Sequence, residues 1–242
     1  MNENDNLKIL KNLKNLKSFK KIFEIKPYGK IKAYTNDYIT TFFEKNQMWE
    51  SEIYDIYRRD IKKNSSVIDC GAFNGCHSLL MANTENVDVY SFEPTYETYK
   101  LLLDNITLNN KFNIIPFNNA VSDENNILNI PVIRLVPRTK LNNYGGNMVI
   151  NDSDISTTKV YSIKLDDLDY KKPISFIKID VEGYENKVIN GAKRIIEKYK
   201  PNLLVEIWKD KIEDFDFDYF KLLGYKCDEL KHSNFYFYTT DN

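Results

Sequence analysis

Little in this 242-residue chain points to metal–thiolate or disulfide chemistry. Its three cysteines, Cys70, Cys76 and Cys227, share no metal-ligand or disulfide-framework spacing, which fits a reducing compartment. Histidine is scarcer still, with His77 and His232 alone. His77 falls in a predicted helix, where it reads as packing or capping. His232 falls in a predicted hairpin turn, where it reads as solvated. Both have the pKa of a general base but not the placement. No apolar run reaches membrane-spanning length, and no apolar leader precedes a small-residue cleavage site. The expectation is therefore a cytoplasmic protein without a membrane span. Charge of one sign is also missing: 34 Lys and Arg against 35 Asp and Glu leave a formal net charge of −1. That argues against DNA, and against RNA, as the partner. What remains, 42% hydrophobic and 29% charged residues, is ordinary for a globular chain long enough for one α/β domain and a modest extension.

Residues 1–46 read as the extension. Leu7, Leu10, Leu13, Leu16, Phe19 and Phe23 recur every three or four positions with Lys8, Lys11, Lys14, Lys17, Lys20 and Lys21 between them. This spacing predicts an amphipathic basic helix. Its apolar stripe has three candidate partners: the domain itself or a second subunit (a homodimer), an anionic membrane surface, or nucleic acid. The last is disfavoured because no aromatic platform or arginine cluster accompanies the lysines.

From residue 47 to 242 strands and helices alternate, as in a mainly parallel sheet. After a helical lead-in over 47–62, the segment Ser66-Val67-Ile68-Asp69-Cys70-Gly71-Ala72-Phe73-Asn74-Gly75 predicts a short strand, a glycine turn and a helix from Cys76. A second strand, Val87 to Phe92, ends at Glu93, and a helix follows over 96–109. A third strand lies within 113–121, a central one at Ile174 to Ile179, and a helix at 185–198. A further strand at Leu203 to Trp208, a helix at 215–222 and a hairpin over His232-Ser233-Asn234 close the chain. A strand–turn–helix–strand–acid unit is how an open α/β sheet grips a nucleoside. Here the turn lacks the middle glycine of the dinucleotide pattern, and Asp69 would repel a pyrophosphate. A nucleoside carrying a positive centre and no phosphate fits better, and S-adenosylmethionine is such a ligand.

Those segments, with Ser91-Phe92-Glu93-Pro94 and Phe176-Ile177-Lys178-Ile179-Asp180-Val181-Glu182-Gly183-Tyr184-Glu185, resemble the FkbM family of S-adenosylmethionine-dependent methyltransferases. Leu165-Asp166-Asp167-Leu168 and Leu204-Val205-Glu206 also match the family's habits. The resemblance covers about Met48 to Thr239. It implies a class I methyltransferase (Rossmann-like) fold with seven strands, the last antiparallel, and methylation of a hydroxyl on a sugar, glycan or similar small molecule. One departure is Phe73-Asn74, where the family commonly has Asn followed by a hydrophobic residue. This shifts which side chain faces the cofactor.

Roles then follow. Asp69, Gly71, Ala72, Asn74 and Gly75 form the cofactor turn, and the amides opening the next helix suit a carboxylate. Glu93 is placed to accept from the ribose hydroxyls, and Asn119 and Ala120 sit where adenine contacts arise in this fold. Asp180 and Glu206 end adjacent strands, and Glu182 follows on the loop. These three are the candidate catalytic carboxylates, acting as general base or sharing a divalent cation such as magnesium. Glu185 reads as a helix N-terminal acid, an option open to Glu182 as well. Lys178 reads as a strand-edge cation paired with a carboxylate. The region 127–165 is expected to recognise the acceptor, with Arg134, Arg138, Lys140 and Tyr144 as candidate contacts to an acidic or phosphorylated one such as a nucleotide-activated sugar. The alternatives weighed are an RNA methyltransferase, a nicotinamide oxidoreductase and a non-catalytic cofactor-fold module.

Overall fold

A computed structural model describes residues 20–35, 37–132 and 156–240. The chain opens with a hairpin, β1 (Lys20–Ile25) and β2 (Gly29–Tyr34), then α1 (Thr40–Glu44) and α2 (Ser51–Asp60). The expected basic helix therefore does not reach Phe23. From Lys20 the apolar period is two: Phe23, Ile25, Ile31 and Ala33 are buried while Ile22 is half exposed, the alternation of a half-buried strand. The leucines before residue 20 lie outside the described residues. Asn105 fastens the hairpin to the domain, accepting from Lys32 N at 2.7 Å and donating to Lys32 O at 3.0 Å.

Next come β3 (Ser66–Cys70), α3 (Cys76–Met81), β4 (Asp88–Phe92), α4 (Tyr96–Leu108), β5 (Ile114–Phe117), β6 (Ala120–Val121), β7 (Ile127–Pro131) and β8 (Thr157–Ile163). The expected third strand is thus two pieces. Asn118 donates to the carbonyls of Glu93 and Pro94 and bends the chain, so β6 leaves the main sheet and pairs with β8, which also pairs antiparallel with β7. This small sheet is the described part of the 127–165 region. Arg134, Arg138, Lys140 and Tyr144 lie outside the described residues.

After β9 (Ile174–Ile179), the expected single helix is likewise two, α5 (Glu185–Asn190) and α6 (Lys193–Tyr199). Gly191 breaks it because Ser122 packs there: a Cβ on Gly191 would lie 2.1 Å from the Ser122 carbonyl oxygen. Asp166 caps α6, its carboxylate accepting from the amides of Arg194 and Ile195. The chain ends with β10 (Asn202–Glu206), α7 (Phe217–Leu222), β11 (Lys226–Glu229) and β12 (Asn234–Tyr238).

Seven strands form the main sheet in the order β11-β12-β10-β9-β3-β4-β5. The last strand, β12, runs antiparallel between β10 and β11, while β10, β9, β3, β4 and β5 are parallel. This is the class I methyltransferase topology. Every residue of β3 and β9 is buried, as expected of central strands covered on both faces. Alternate side chains serve two cores. Val67, Phe176 and Leu204 pack with the N-terminal hairpin, α2 and α3, and Ile68, Ile177 and Val205 pack with α5 and α6. The parallel strands all end on one side, at Cys70, Phe92, Ile179 and Glu206, where such sheets bind ligands.

Candidate active site

The loop after β3 is built by its backbone. The amides of Gly71 and Ala72 both donate to Phe92 O at 2.9 Å, which ties the end of β3 to the end of β4. Gly71 has φ +80°, and a Cβ there would lie 1.7 Å from the Asp180 carbonyl oxygen. Glycine is thus demanded by the close approach of the β9 loop, in a conformation that L side chains rarely adopt. Phe73 also has positive φ and donates its amide to Glu93 Oε2 at 2.8 Å. Glu93 Oε1 accepts from Thr95 N and Thr98 Oγ1, both at 2.8 Å. Burial pushes the Glu93 carboxyl up, and these hydrogen bonds oppose that shift.

The central polar chain runs behind this loop. The β3–β9 register sets Asp69 opposite Lys178. Ser78 donates to Asp69 Oδ2 at 2.5 Å, and Asp69 Oδ1 lies 3.9 Å from Lys178 Nζ. Lys178, 2% exposed, donates to Asp180 Oδ2 at 2.9 Å. It is a central, buried cation rather than a strand-edge one. Burial pulls its pKa down, but Asp180 and Asp69 outweigh that and hold it above the ordinary lysine value. Asp180 also shares a hydrogen bond with Glu206. Burial disfavours the charge of Asp180, yet Lys178 keeps its pKa below the usual carboxylate value. Burial and the Asp180 charge push Glu206 up to about 10, so at neutral pH the shared proton rests on Glu206. Glu182, at φ 56°, is pushed up to about 8, first by burial and then by Asp180 and Glu185. Its buried Oε2 has no hydrogen-bond partner among the described residues. Glu185 instead accepts from Gly183 N at 2.9 Å and closes the turn that opens α5. Oxygens of Asp180, Glu182 and Glu206 lie within 4.8 Å of one another.

Two recesses meet at this centre. The narrower, about 530 Å³ out to its open mouth, lies between Phe92, Glu93, Pro94, Asn119, Ala120, Val121, Val181 and Tyr184. The wider, about 1040 Å³, is bounded by Tyr38, Trp49, Glu50, Phe73, Glu206, Trp208 and His232. Gly71, Glu93, Asp180 and Glu182 border both.

The fold therefore brings Gly71, Glu93, Asn119, Ala120, Asp180, Glu182 and Glu206 to the recesses. It places Asp69, Ala72, Asn74 and Gly75 behind their walls. Asp69 is committed to Ser78 and Lys178. Asn74 is fully buried and its side chain accepts from Cys76 N at 3.1 Å, closing the turn that leads into α3. A Cβ on Gly75 would lie 2.6 Å from Leu102 Cδ1, so that glycine serves packing against α4. At the 73–74 departure Phe73 lines the wide recess and Asn74 is buried. His77 meets Tyr57 and Glu50, and His232 lies on the wide recess. Tyr38, Trp49, Glu50 and Trp208 were not singled out in the sequence. They belong to no motif, and only the fold brings the lead-in to the strand ends.

The family model "Methyltransferase FkbM domain" matches residues 69–228, about two thirds of the chain. The chain belongs to the FkbM methyltransferase family. A solved FkbM methyltransferase from Methylobacillus flagellatus is similar at 20% identity and TM-score 0.51, over 76% of this chain and 50% of that one. This chain thus spans half the length of that relative. Also similar are an rRNA methylase from Streptococcus thermophilus (11% identity, TM-score 0.46, 77% and 92% covered) and a precorrin-6y C5,15-methyltransferase from Geobacter metallireducens (13%, 0.45, 78% and 87%). No curated protein sequence matches the chain. Among the described residues no helix is long and apolar enough to cross a membrane.

Proposed function

We propose that this FkbM-family protein transfers a methyl group from S-adenosylmethionine to a hydroxyl of a sugar, glycan or similar small molecule. The observation that carries the reading is the Asp180–Glu182–Glu206 cluster at the junction of two recesses. One recess suits a nucleoside and the other an acceptor. The residues present fit the cofactor: Glu93 stands at the tip of β4 for the ribose, and Asn119 and Ala120 flank the apolar walls given by Phe92 and Val121 for the adenine. When bound, S-adenosylmethionine supplies a methyl group made electrophilic by its sulfonium charge. The acids around Gly71 favour that positive charge.

The chain's own contribution is alignment and proton handling. Lys178 fixes the Asp180 carboxylate. Asp180, ionised, accepts the hydrogen bond of the Glu206 acid and orients it. Glu182, unpartnered at Oε2 and titrating near 8, is suited to take the proton of the acceptor hydroxyl. The same three carboxylates offer the all-oxygen donor set that magnesium prefers, and a bound ion would acidify the acceptor hydroxyl. An RNA acceptor finds less support, because the residues around the wide recess are acidic and aromatic. The test is transfer of label from methyl-labelled S-adenosylmethionine to a panel of sugars and sugar nucleotides, with and without magnesium. Label in a sugar hydroxyl supports the reading. Label in RNA alone, or at nitrogen, overturns it.

A further inference from the structure

The wide recess is unusual in its charge. Glu50, Glu93, Asp180, Glu182 and Glu206 line it, with no lysine or arginine among its described lining residues. Lys178 lies behind this wall and is committed to Asp180 and Asp69. An anion brought into this space would face the Asp180 and Glu50 carboxylates and find no lysine or arginine on the described lining to pair with.

The recess also has an aromatic wall with a fixed pose. The Trp49 ring packs edge-on against Phe42 at 4.9 Å and Tyr38 at 5.6 Å, and tilts against His232 at 5.3 Å. Beside it Glu50 sits in the left-handed backbone region at φ 46°, a conformation costly for glutamate and characteristic of functional positions. Glu50 Oε1 accepts from Asn234 Nδ2 at 2.9 Å, and Oε2 lies 3.3 Å from His77 Nε2. The other His77 nitrogen is 3.0 Å from the buried Tyr57 hydroxyl. With that phenol donating to Nδ1, Nε2 carries the hydrogen that faces Glu50. Two of the roughly four acceptor positions of the Glu50 carboxylate are then used, and the rest are free for a ligand. Tyr38, Trp49, Glu50 and His232 all lie outside the family-matched residues 69–228.

We propose that this recess is the acceptor subsite, built for an uncharged hydroxylated ring that stacks on Trp49 and donates its hydroxyls to Glu50, and that it rejects phosphorylated acceptors. The inference rests on the methyl-transfer reading and narrows it, because without a bound metal a nucleotide-activated sugar would set its phosphates against Glu50 and Asp180 with no cation on the described lining to pair with. Stacking supplies sequence-independent apolar contact for a sugar face. The carboxylate supplies charge-assisted hydrogen bonds that discriminate a hydroxyl from an anion.

The chain has two tryptophans, Trp49 and Trp208, and both border the recess, so intrinsic emission reports directly on its occupancy. The experiment first titrates the full chain with S-adenosylhomocysteine by calorimetry. It then titrates the saturated complex with neutral methyl glycosides and with their phosphate esters while following tryptophan emission. The expected result is a saturable change with neutral members and binding at least about tenfold weaker for the phosphates. Glu50→Gln should weaken the neutral sugar by roughly tenfold, the loss of a charge-assisted bond. Trp49→Ala should abolish binding, and Trp49→Phe should restore most of it. Unchanged S-adenosylhomocysteine affinity in these variants shows that they fold. Phosphate esters binding as tightly as the neutral sugars overturns the inference, as does the lack of any saturable neutral ligand. No S-adenosylhomocysteine binding in the first titration overturns the cofactor reading instead, so the two failures are distinguishable.

Discussion

The two recesses that meet at Asp180 are built in different ways. The narrow one is made by consecutive strand ends and their immediate loops: Phe92 to Thr95 after β4, Asn119 to Val121 after β5, and Val181 to Tyr184 after β9. The wide one is assembled from distant pieces, the lead-in at Tyr38 to Glu50, Trp208 after β10, and the hairpin turn at His232 and Ser233. Local loops shape the recess proposed for the nucleoside, and long-range packing completes the one proposed for the acceptor.

The sharpest way to break this division is at the shared wall. Asp180→Asn removes the charge that orients Glu206 and pairs with Lys178. It should lower turnover by roughly 100-fold to 10,000-fold while cofactor affinity, read by calorimetry, stays within a few-fold. Gly71→Ala puts a Cβ against the Asp180 carbonyl and should destabilise the fold by about 3 kcal/mol or more. The control is Gly224, also at positive φ but with nothing within 4 Å, where alanine should cost only about 1 kcal/mol. Chemical denaturation of the two variants reads the difference.

At the wall between the recesses, Glu93→Gln should weaken S-adenosylmethionine roughly tenfold. Glutamine keeps one acceptor oxygen and turns its NH2 toward either the Phe73 amide or the Thr95 amide and Thr98 hydroxyl, so the variant's melting temperature is needed to separate loss of ligand contact from loss of loop order.

The pH dependence refines the centre. If Glu182 is the base, kcat should rise with pH through about 8 and lose that limb in Glu182→Gln. Glu206 affects stability in a definite direction. Its folded pKa, about 10, lies above its unfolded one, so between the two the folded state binds more protons. Its contribution is present below the ordinary glutamate value and is lost as pH rises toward about 10. Glu206→Gln should flatten that part of the pH–stability curve, measured by thermal melting. In the wild type, magnesium bound by the three carboxylates would raise the melting temperature most at alkaline pH, and a chelator would reverse it.

The same division explains what could be read in the sequence. Val67 to Gly75, the acid at Glu93 and the segment Ile177 to Glu185 are contiguous, so strand period and turn chemistry suffice to place them. The seven-strand topology came with the family resemblance that those segments carry. The lead-in hairpin was missed because lysines and apolar residues at Lys20 to Ile25 continue a helix-like spacing. Only tertiary burial of Phe23 and Ile25 selects the period of two. Glycine in the cofactor turn was legible, but its physical reason was not. Gly71 is required by the Asp180 carbonyl, a contact made across the fold, and Gly75 by its positive φ of 83° beside Leu102. Glu50 and Trp49 left no local signal, since their role depends on His77, Asn234 and the hairpin meeting them in space.

Calorimetric titration of the purified chain with S-adenosylmethionine and, separately, with NAD decides the cofactor class. The account predicts saturable micromolar binding of the first, weakened in Glu93→Gln and unchanged in Trp49→Ala, and no binding of the second. Binding of NAD, or S-adenosylmethionine binding that Trp49→Ala abolishes and Glu93→Gln leaves intact, would contradict it.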